Sequence, residues 1–438
     1  MLVTFILCAA VLIVTVWKRE VGLAVSIQAY LIKCSLNPPD YSYGPKAPIE
    51  TNDLLSILIP IIVFGVILLK TVKKDDKFFL RPLDVLFVTL GGVLLGGSMY
   101  SPLQNNGLFI TFKYFALGIS FYFVTRLFFS KTSHFQTALK NMMNTTWLLA
   151  LFLGLFAFIR SWGMSYNRLT LGSAHPIPFS LLLAIGIVIN YGWLLRNGVP
   201  LWKKSLQAVS FIILLYIFID SNTRGTIISA FVAILFITAV FVIRYKAFTR
   251  LLLYVPLILV GIGAVNWINP NLVNRVSDNL SLITSEEHGQ SINGRQTAYM
   301  DAWEMFNNSP FFGVGTGAFQ QHSLLSYPHN TFLELLSENG IIGFLVLLAV
   351  YMLTIYYIIN ICRKGGVDSF ILASVVLLNL IETQFSFTLW MHKSFYLYCG
   401  VLVAHYYKDK MKSNTAVHNQ EMKENNRRVV FKIDYSWR

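Results

Sequence analysis

Long apolar runs recur along almost the whole 438-residue chain, and they constrain its fold more than any other feature. Most are long enough to cross a bilayer as a helix, which takes about 20 residues. Only 13% of the residues are charged, whereas about a quarter are charged in a typical soluble domain. Backbone polar groups inside a bilayer must be satisfied within the spanning element, so these runs predict helices. We therefore expect an all-α polytopic integral membrane protein with about 12–13 transmembrane helices and one large, partly helical outer loop.

The apolar runs predict thirteen spans. They cover residues 2–17, 21–36, 54–70, 83–99, 107–129, 146–162, 177–195, 205–220, 224–243, 250–268, 340–361, 368–388 and 394–407. The first two are short and are joined only by three charged residues, so twelve spans with one interfacial helix fit the sequence equally well.

The net charge of +14 suggests a nucleic-acid partner only until the charges are assigned to loops. Most of the 35 Lys and Arg fall in the loops on one side of the predicted membrane, and the loops on the other side are slightly acidic. Cytoplasmic loops of membrane proteins carry the excess of Lys and Arg. The basic side, with the C-terminus, is therefore expected to be cytoplasmic and the N-terminus outside. The charge sets orientation in the bilayer, and no nucleic-acid partner is expected.

These features divide the chain into three regions. N-terminal transmembrane helices occupy residues 1–162, a core occupies 163–407, and a basic cytoplasmic tail occupies 408–438. The core includes a long outer loop, 269–339. Loops of that length without structure are rare in compact proteins and are usually functional.

Part of the outer loop has helical periodicity. Residues 295–307 place Ala298, Ala302, Trp303 and Phe306 on one face, and a proline follows at position 310. The two aromatic residues are typical of a helix that lies at the membrane surface.

Cysteine and histidine spacing gives no sign of a metal site. The four cysteines are scattered, lie mostly within or beside spans and show no CxxC or CxxH spacing (Cys8, Cys34, Cys362, Cys399). His322 and His329 are not at zinc-ligand spacing with a pair of carboxylates. We expect no metal, no disulfide framework and no cofactor.

Three arginines occupy unusual positions on the predicted outer side. Arg224 lies in the tight turn between two spans, Arg168 lies at the end of a span, and Arg295 opens a helix. A cation in the first turn of a helix opposes the helix dipole, so it does not serve the helix. A snorkelling side chain or an ion pair, for example with Asp220, would explain such an arginine structurally. The functional alternative is an anion clamp, because the guanidinium fork matches phosphate oxygens.

A glycine-rich segment, Gly313-Val-Gly-Thr-Gly317, superficially resembles a phosphate-binding loop. A preceding strand and a directly following long helix are missing, so the nucleotide-binding context fails. Gly313, Gly315 and Gly317 are more typical of a turn that lets the backbone approach another element.

A polar segment, Pro328-His-Asn, precedes a helical pattern in which Thr331 and Glu334 fit a capping box. Asn330, Glu334 and Glu338 are spaced by four and share a face. His329 is thus expected at a helix start, where an imidazole is either a satisfied polar contact or a general base near neutral pH. A helix stop is expected at Asn339-Gly340.

The order and spacing of these motifs resemble the O-antigen ligase and O-antigen polymerase superfamily. The matching elements are Asn222-Thr-Arg-Gly225, Asn293-Gly-Arg295 with Trp303 and Pro310, Gly313-Val-Gly-Thr-Gly317, and Pro328-His-Asn-Thr-Phe-Leu-Glu334 with Gly340 and Gly343. Arg168-Leu-Thr-Leu-Gly172 resembles a further arginine element of these proteins.

The resemblance implies an enzyme on the outer face of the bacterial inner membrane. Such an enzyme takes a glycan from undecaprenyl diphosphate and transfers it en bloc, with inversion and without a metal. It also implies roles for single residues. The arginines 224, 295 and 168 would stabilise the leaving diphosphate, His329 would accept the proton of the acceptor, and Glu334 or Glu338 would orient the histidine. Asn330 and the three glycines would support the helix and loop.

The acceptor stays open at this point. A polymerase uses another lipid-linked repeat unit of O-antigen, capsule or exopolysaccharide, a ligase uses the lipid A-core, and related enzymes glycosylate proteins. The slightly acidic outer side, which lacks a basic patch for the phosphates of lipid A-core, favours a polymerase. A chain-length regulator is a further partner of such enzymes. The competing classes are a flippase of lipid-linked sugars, with Glu382 as its main acidic residue within a span, and a cell-wall glycan polymerase.

Overall fold

The computed structural model describes residues 2–37, 54–72, 79–164, 168–246 and 290–411. Within these ranges the chain is helical and forms no strand. The predicted all-α polytopic fold is confirmed. The predicted span at 250–268, the first part of the outer loop and the tail beyond residue 411 lie outside the described residues.

The described helices follow one another with short connections. In chain order they are α1 (Leu2–Trp17), α2 (Arg19–Ile27), α3 (Ala29–Ser35), α4 (Leu55–Thr71), α5 (Pro82–Tyr100), α6 (Gln104–Lys113), a π-helical turn (Tyr114–Ile119), α7 (Ser120–Lys131), α8 (Phe135–Arg160), α9 (Pro176–Leu194), α10 (Leu201–Asp220), α11 (Arg224–Tyr245), α12 (Gln290–Asn308), α13 (Phe319–His322), α14 (Thr331–Lys364), α15 (Val367–Glu382) and a 3₁₀ turn (Leu389–Met391). A last helix, α16, covers 393–411.

Seven of the described helices are long and apolar enough to cross a membrane, counting α6, the π turn and α7 as one. The others are α5, α8, α9, α10, α11 and α14, and α1 and α4 are shorter apolar helices. Each predicted span within the described residues overlaps a helix. Some helix ends differ from the ends of the predicted spans, because hydropathy does not mark them. Gln28 separates α2 from α3, α8 begins eleven residues before its predicted span because its first turns are polar, and α15 ends at Glu382.

Successive spans run in alternating directions, so the bundle has two distinct ends. At one end, Lys70 Nζ donates to Val16 O at 3.0 Å and Lys131 Nζ donates to Thr71 O at 3.4 Å. We call it the basic end, because Arg19, Lys70 and Lys131 of the predicted basic side lie there. The opposite end, where α8, α10 and α15 stop and α9 and α11 begin, is called the site end.

Helix α9 is the centre of the bundle. It packs against α8, α10, α11 and α15, and nearly all of its residues are buried. A helix that is apolar on every side is suited to such a position. The segment that leads into α9 is consequently held by a rigid core on its C-terminal side, which matters for the site described below.

Helix α14 is two limbs joined at Gly340, where the backbone adopts φ 62° and ψ −161°. The limbs fold back on each other, since Thr331 Oγ1 lies 3.0 Å from the hydroxyl of Tyr351 and the ring of Phe332 lies 5.0 Å from that of Tyr351. The predicted helix stop at this glycine is confirmed. At 1.5 Å per residue, the start of the first limb lies roughly 15 Å along the span from the bend. The residues before Thr331 are therefore recessed into the site end.

Helix α12 begins five residues before the predicted 295–307 helix and ends one residue after it. The prediction that Arg295 opens this helix is therefore wrong, because Arg295 lies in its second turn. Its buried stripe is Ala298, Ala302 and Met305, which pack with Phe319. Trp303 is 52% exposed, so it does not share the buried face with the two alanines as the sequence prediction had it. The apolar stripe at i, i+4 and i+7 selects the alanines and Met305, and it leaves the tryptophan on the flank.

Candidate functional site

The three arginines singled out from the sequence meet at the site end. Arg224 is the first residue of α11, and the neighbouring Leu169 N donates to Asp220 O at 3.0 Å, which ties the Arg168 segment to the turn before α11. The charges of Arg168 and Arg295 both act on Arg224. All three side chains are half-buried. Like charges held this close repel each other, so the arrangement is typical of a site that binds an anion.

His175 stands among these arginines as the N-cap residue of α9. Its Nδ1 accepts a hydrogen bond from Ile177 N at 3.3 Å, so the proton of the neutral ring is on Nε2. Its pKa is lowered to about 4 because the surrounding protein desolvates the ring and because Arg168 and Arg295 lie nearby. The side chain is nonetheless accessible to solvent. Its ring is therefore neutral at physiological pH and lies beside the positive charges of Arg168 and Arg295.

His329 lies at the recessed start of α14, next to the same charges. Its backbone is left-handed, with φ 58°, a conformation that non-glycine residues seldom adopt outside strained or functional positions. Its pKa is lowered to about 4, first by burial and then by Arg295 and His175. Within the described chain its Nδ1 is buried without a hydrogen bond. The ring packs 4.5 Å from that of Tyr327. The imidazole is thus neutral at physiological pH and free to accept a proton.

The support beneath His329 differs in one respect from the sequence prediction. Asn330 is the N-cap of α14, since its Oδ1 accepts from Leu333 N at 3.0 Å and its Nδ2 donates to Gln384 O at 3.2 Å. The predicted capping box starting at Thr331 is wrong, because the hydroxyl of Thr331 faces Tyr351. An amide one residue earlier satisfies the same orphan N–H groups.

Part of the chain is similar to a known protein family. Residues 209–348 match the family model described as O-Antigen ligase. This match supports membership in the O-antigen ligase and polymerase superfamily. Membership implies a glycan-transferring enzyme of the ligase type. No curated protein matches the chain significantly.

The matched segment runs from α10 into α14 and contains Arg224, Arg295 and His329. It lies inside the predicted core of residues 163–407. Arg168 and His175 precede it, so they join the site only through the fold.

The two glutamates predicted to orient His329 have other partners. Glu334 accepts hydrogen bonds from the Thr388 hydroxyl and, at 3.1 Å, from Leu389 N. Glu338 accepts from Gly317 N at 2.8 Å and from Phe319 N at 3.1 Å. Neither carboxylate is hydrogen-bonded to His329 in the described chain. Both carboxylates therefore hold neighbouring loops in position.

The glycine-rich loop turns towards α14 rather than into the site. Gly313, Gly315 and Gly317 have φ of 73°, 106° and 76°, and a Cβ at Gly313 would lie 2.3 Å from the carbonyl carbon of Glu338. Gly315 N donates to Glu338 O at 2.9 Å. The loop amides that would face a phosphate are used inside the protein, as expected for a close-approach turn.

The loop after α15, residues 383–392, was not identified from the sequence. Phe387 has φ 63°, and its ring lies between those of His175 and His392, at centroid distances of 6.5 and 5.9 Å. Burial lowers the pKa of His392 to about 3. His175 could have been suspected, since it directly precedes a proline at a helix start. Phe387 carries no comparable signal.

The acidic residue that the flippase alternative relied on also has a local role. Glu382 is buried and accepts hydrogen bonds from Thr226 at 3.0 Å and Ser229 at 2.9 Å, both on α11. It fastens the first turns of α11 to α15 and thereby holds Arg224 in place.

Metal ligands are not grouped in the part of the chain that the structure describes. No set of three or more His, Cys, Asp or Glu is arranged there to hold a metal ion. The four cysteines are not disulfide-bonded to one another.

Proposed function

We propose that the chain transfers a glycan en bloc from a polyprenyl diphosphate, such as undecaprenyl diphosphate, to a hydroxyl group of an acceptor saccharide. The observation that carries this proposal is the meeting of three arginines with a neutral, recessed histidine at one end of a membrane bundle. The arginines fit a diphosphate, the histidine fits a hydroxyl that must lose its proton, and the recess fits a lipid-linked donor.

The arginines act on the leaving group. When the bond between the anomeric carbon and the diphosphate oxygen breaks, the electron pair leaves with the diphosphate, and its negative charge grows. Arg224, Arg295 and Arg168 are set in place before this charge develops, which is the most effective form of electrostatic stabilisation. They also supply the charge that a divalent ion supplies in other transferases, so the reaction is proposed to need no metal.

His329 acts on the acceptor. The acceptor oxygen attacks the anomeric carbon from the side opposite the diphosphate, and its proton passes to the imidazole of His329. The anomeric configuration is inverted. General-base catalysis of this kind contributes about 10²–10⁴-fold to the rate. The imidazolium that forms is balanced by the negative charge of the departing diphosphate beside it.

His175 contributes a neutral N–H. With Nδ1 engaged at the start of α9, Nε2 carries the proton, and the charges of Arg168 and Arg295 act on the ring. A donor that stays neutral adds a hydrogen bond to the diphosphate without adding repulsion among the arginines. Its role is therefore to position the donor.

The site is proposed to face outward from the bacterial inner membrane. The basic loops lie at the opposite end of the bundle, and loops rich in Lys and Arg are retained in the cytoplasm. The site end then faces the compartment in which lipid-linked glycans are assembled into surface polymers.

The acceptor is proposed to be a second lipid-linked repeat unit, which makes the chain a polymerase of O-antigen, capsule or exopolysaccharide. The slightly acidic outer side supports this choice, because lipid A-core is itself heavily phosphorylated. The family description favours the alternative, ligation to lipid A-core. A chain-length regulator is a proposed partner of the polymerase.

Deletion of the gene, followed by gel analysis of the surface glycans, tests the proposal. A polymerase predicts loss of long chains with single repeats still attached, and a ligase predicts loss of all attached glycan. Unchanged surface glycans would contradict both. Extracted membranes treated with a chelator should keep full transfer activity, and loss of activity would contradict the metal-free mechanism.

A further inference from the structure

The turn between α12 and α13 presents two phenylalanines on the outside of the protein. Phe311 is 69% exposed and Phe312 is 62% exposed, whereas phenylalanine is one of the residue types most often buried. The two residues are adjacent in the chain, so they are not the singly scattered apolar side chains that every protein surface carries. We call residues 310–313 the phenylalanine turn.

The backbone of the phenylalanine turn is fixed to two membrane helices. The hydroxyl of Tyr100, the last residue of α5, donates a hydrogen bond to Phe312 O. Ile341 N, at the start of the second limb of α14, donates to Pro310 O at 2.9 Å. The bend of α14 lies against the turn, because a Cβ at Gly340 would be 2.4 Å from the backbone of the turn. The two exposed side chains are therefore carried by a backbone that is held in place.

The two attachment points set the depth of the turn in the membrane. Helix α5 reaches Tyr100 after 19 residues, roughly 27 Å, which is close to the hydrocarbon thickness of about 30 Å. Met99 is 58% exposed and Tyr100 is 48% exposed, as expected where a span meets the lipid headgroups. The second limb of α14 runs from Ile341 to Lys364 at the basic end. Both spans thus end at the phenylalanine turn, which lies at the level of the membrane surface.

The sequence around the turn is suited to contact with lipid. No Asp, Glu, Lys or Arg occurs between Glu304 and Glu334, although 13% of the whole chain is charged. A charged group loses hydration when it approaches the hydrocarbon region, and this segment has no such group. Phenyl rings, by contrast, are stabilised when they leave water for the boundary between headgroups and acyl chains. A bilayer is consequently the partner that this surface fits.

We infer that Phe311 and Phe312 insert into the bilayer leaflet at the site end, so that the phenylalanine turn anchors α12 and α13 to lipid. The partner is the phospholipid bilayer itself, and the inference does not depend on the proposed transfer reaction. Because the turn is bonded to the start of the second limb of α14, insertion also fixes the height of the bend. The first limb, which begins beside His329, descends from that bend.

A polarity-sensitive fluorophore at position 311 tests the inference. Phe311→Cys is labelled with a nitrobenzoxadiazole maleimide in the full-length protein carrying Cys8→Ala, because the other three native cysteines are buried. The protein is reconstituted without substrate into vesicles of phosphatidylethanolamine and phosphatidylglycerol. The quenchers are phospholipids with a nitroxide near the headgroup end of the acyl chain, and iodide in the water on both sides. Gln321→Cys is the matched control, since Gln321 is an exposed polar residue of the same uncharged segment.

We expect the nitroxide lipid to quench the label at position 311 several-fold more than the label at position 321, and iodide to quench it several-fold less. Phe312→Cys should give the same pattern. Equal quenching by iodide at positions 311 and 321 would show that the turn faces water and would overturn the inference. Shielding of position 311 from both quenchers would also overturn it, because another protein chain would then cover the turn. Since no substrate is present, either result leaves the proposed transfer reaction untouched.

Discussion

At the scale of single residues, the site holds three arginines whose charges act on one another, an arrangement that disfavours further positive charge and favours a bound anion. Of the buried carboxylates, Glu382 attracts Arg295, whereas Glu334 and Glu338 accept hydrogen bonds from neighbouring loops. The cluster is accordingly poised for a ligand with several negative charges. A diphosphate carries them in a shape that planar guanidinium groups can grip with two hydrogen bonds each.

Replacing Arg224 with lysine tests whether these paired hydrogen bonds are needed. We expect Arg224→Lys to lose about 10–100-fold in transfer rate, nearly as much as Arg224→Ala, because lysine keeps the charge but loses the fork. Arg244→Lys, in the last turn of the same helix at the basic end, is the matched control. Rates are measured with purified protein in proteoliposomes. Full activity of Arg224→Lys would remove the bidentate clamp from the mechanism.

The lowered pKa of His329 predicts the pH dependence. A base works only when unprotonated, so the acid limb of kcat/KM, which reports the free enzyme, should fall near pH 4 rather than near 6.5. The acid limb of kcat should lie at higher pH, because the bound diphosphate places negative charge beside the ring and raises its pKa. A kcat/KM limb with its midpoint near 6.5 would show that His329 is not held in the charged cleft described here.

At the scale of elements, the bend of α14 at Gly340 decides where His329 lies. A Cβ at this position would lie 2.4 Å from the carbonyl carbon and oxygen of Phe311, and the positive φ is unfavourable for any other residue. We expect Gly340→Ala to lower the yield of folded protein or to abolish transfer. Gly96→Ala is the control, since nothing lies within 4 Å of a Cβ there. Both variants are compared by size-exclusion profile and by transfer rate, and a fully active Gly340→Ala would contradict the hairpin.

Sequence periodicity predicted the existence of these elements better than their ends. Hydropathy detects the part of a helix that crosses a membrane, so the polar first turns of α8 were missed, and so was the break at Gln28. The helix stop at Gly340 was predictable because glycine is suited to a left-handed bend. The folding back of the two limbs on each other was not predictable, because it depends on contacts of Thr331 and Phe332 with Tyr351 across the bend.

The residues of the site were predictable from residue type and position, but their hydrogen-bond partners and charged neighbours were not. The arginines and His329 stood out as ionisable groups beside apolar spans, where they are costly. The partners of Glu334 lie more than fifty positions away, in a loop that no local pattern marks. For the same reason the charged neighbours of His175 come from α12 and from the segment before α9, which only the fold brings together.

At the scale of the whole molecule, alternating spans separate a basic end from a site end, and the charge distribution orients them. This predicts opposite accessibility of the two ends in cells. A cysteine at Leu324, which is 99% exposed at the site end, should react with a membrane-impermeant maleimide in cells whose outer membrane has been permeabilised. Lys364→Cys, at the basic end of α14, should react only after the inner membrane is opened. The reverse pattern would place the site in the cytoplasm.

Transfer by the His329→Ala variant tests the account most directly. The matched control is His322→Ala, which removes an exposed histidine seven residues earlier in the same region. With purified protein in proteoliposomes, lipid-linked oligosaccharide as donor and equal amounts of folded enzyme, His329→Ala should lose about 10²–10⁴-fold in rate while His322→Ala stays within twofold of the wild type. A His329→Ala variant that transfers glycan at the wild-type rate would contradict the central claim.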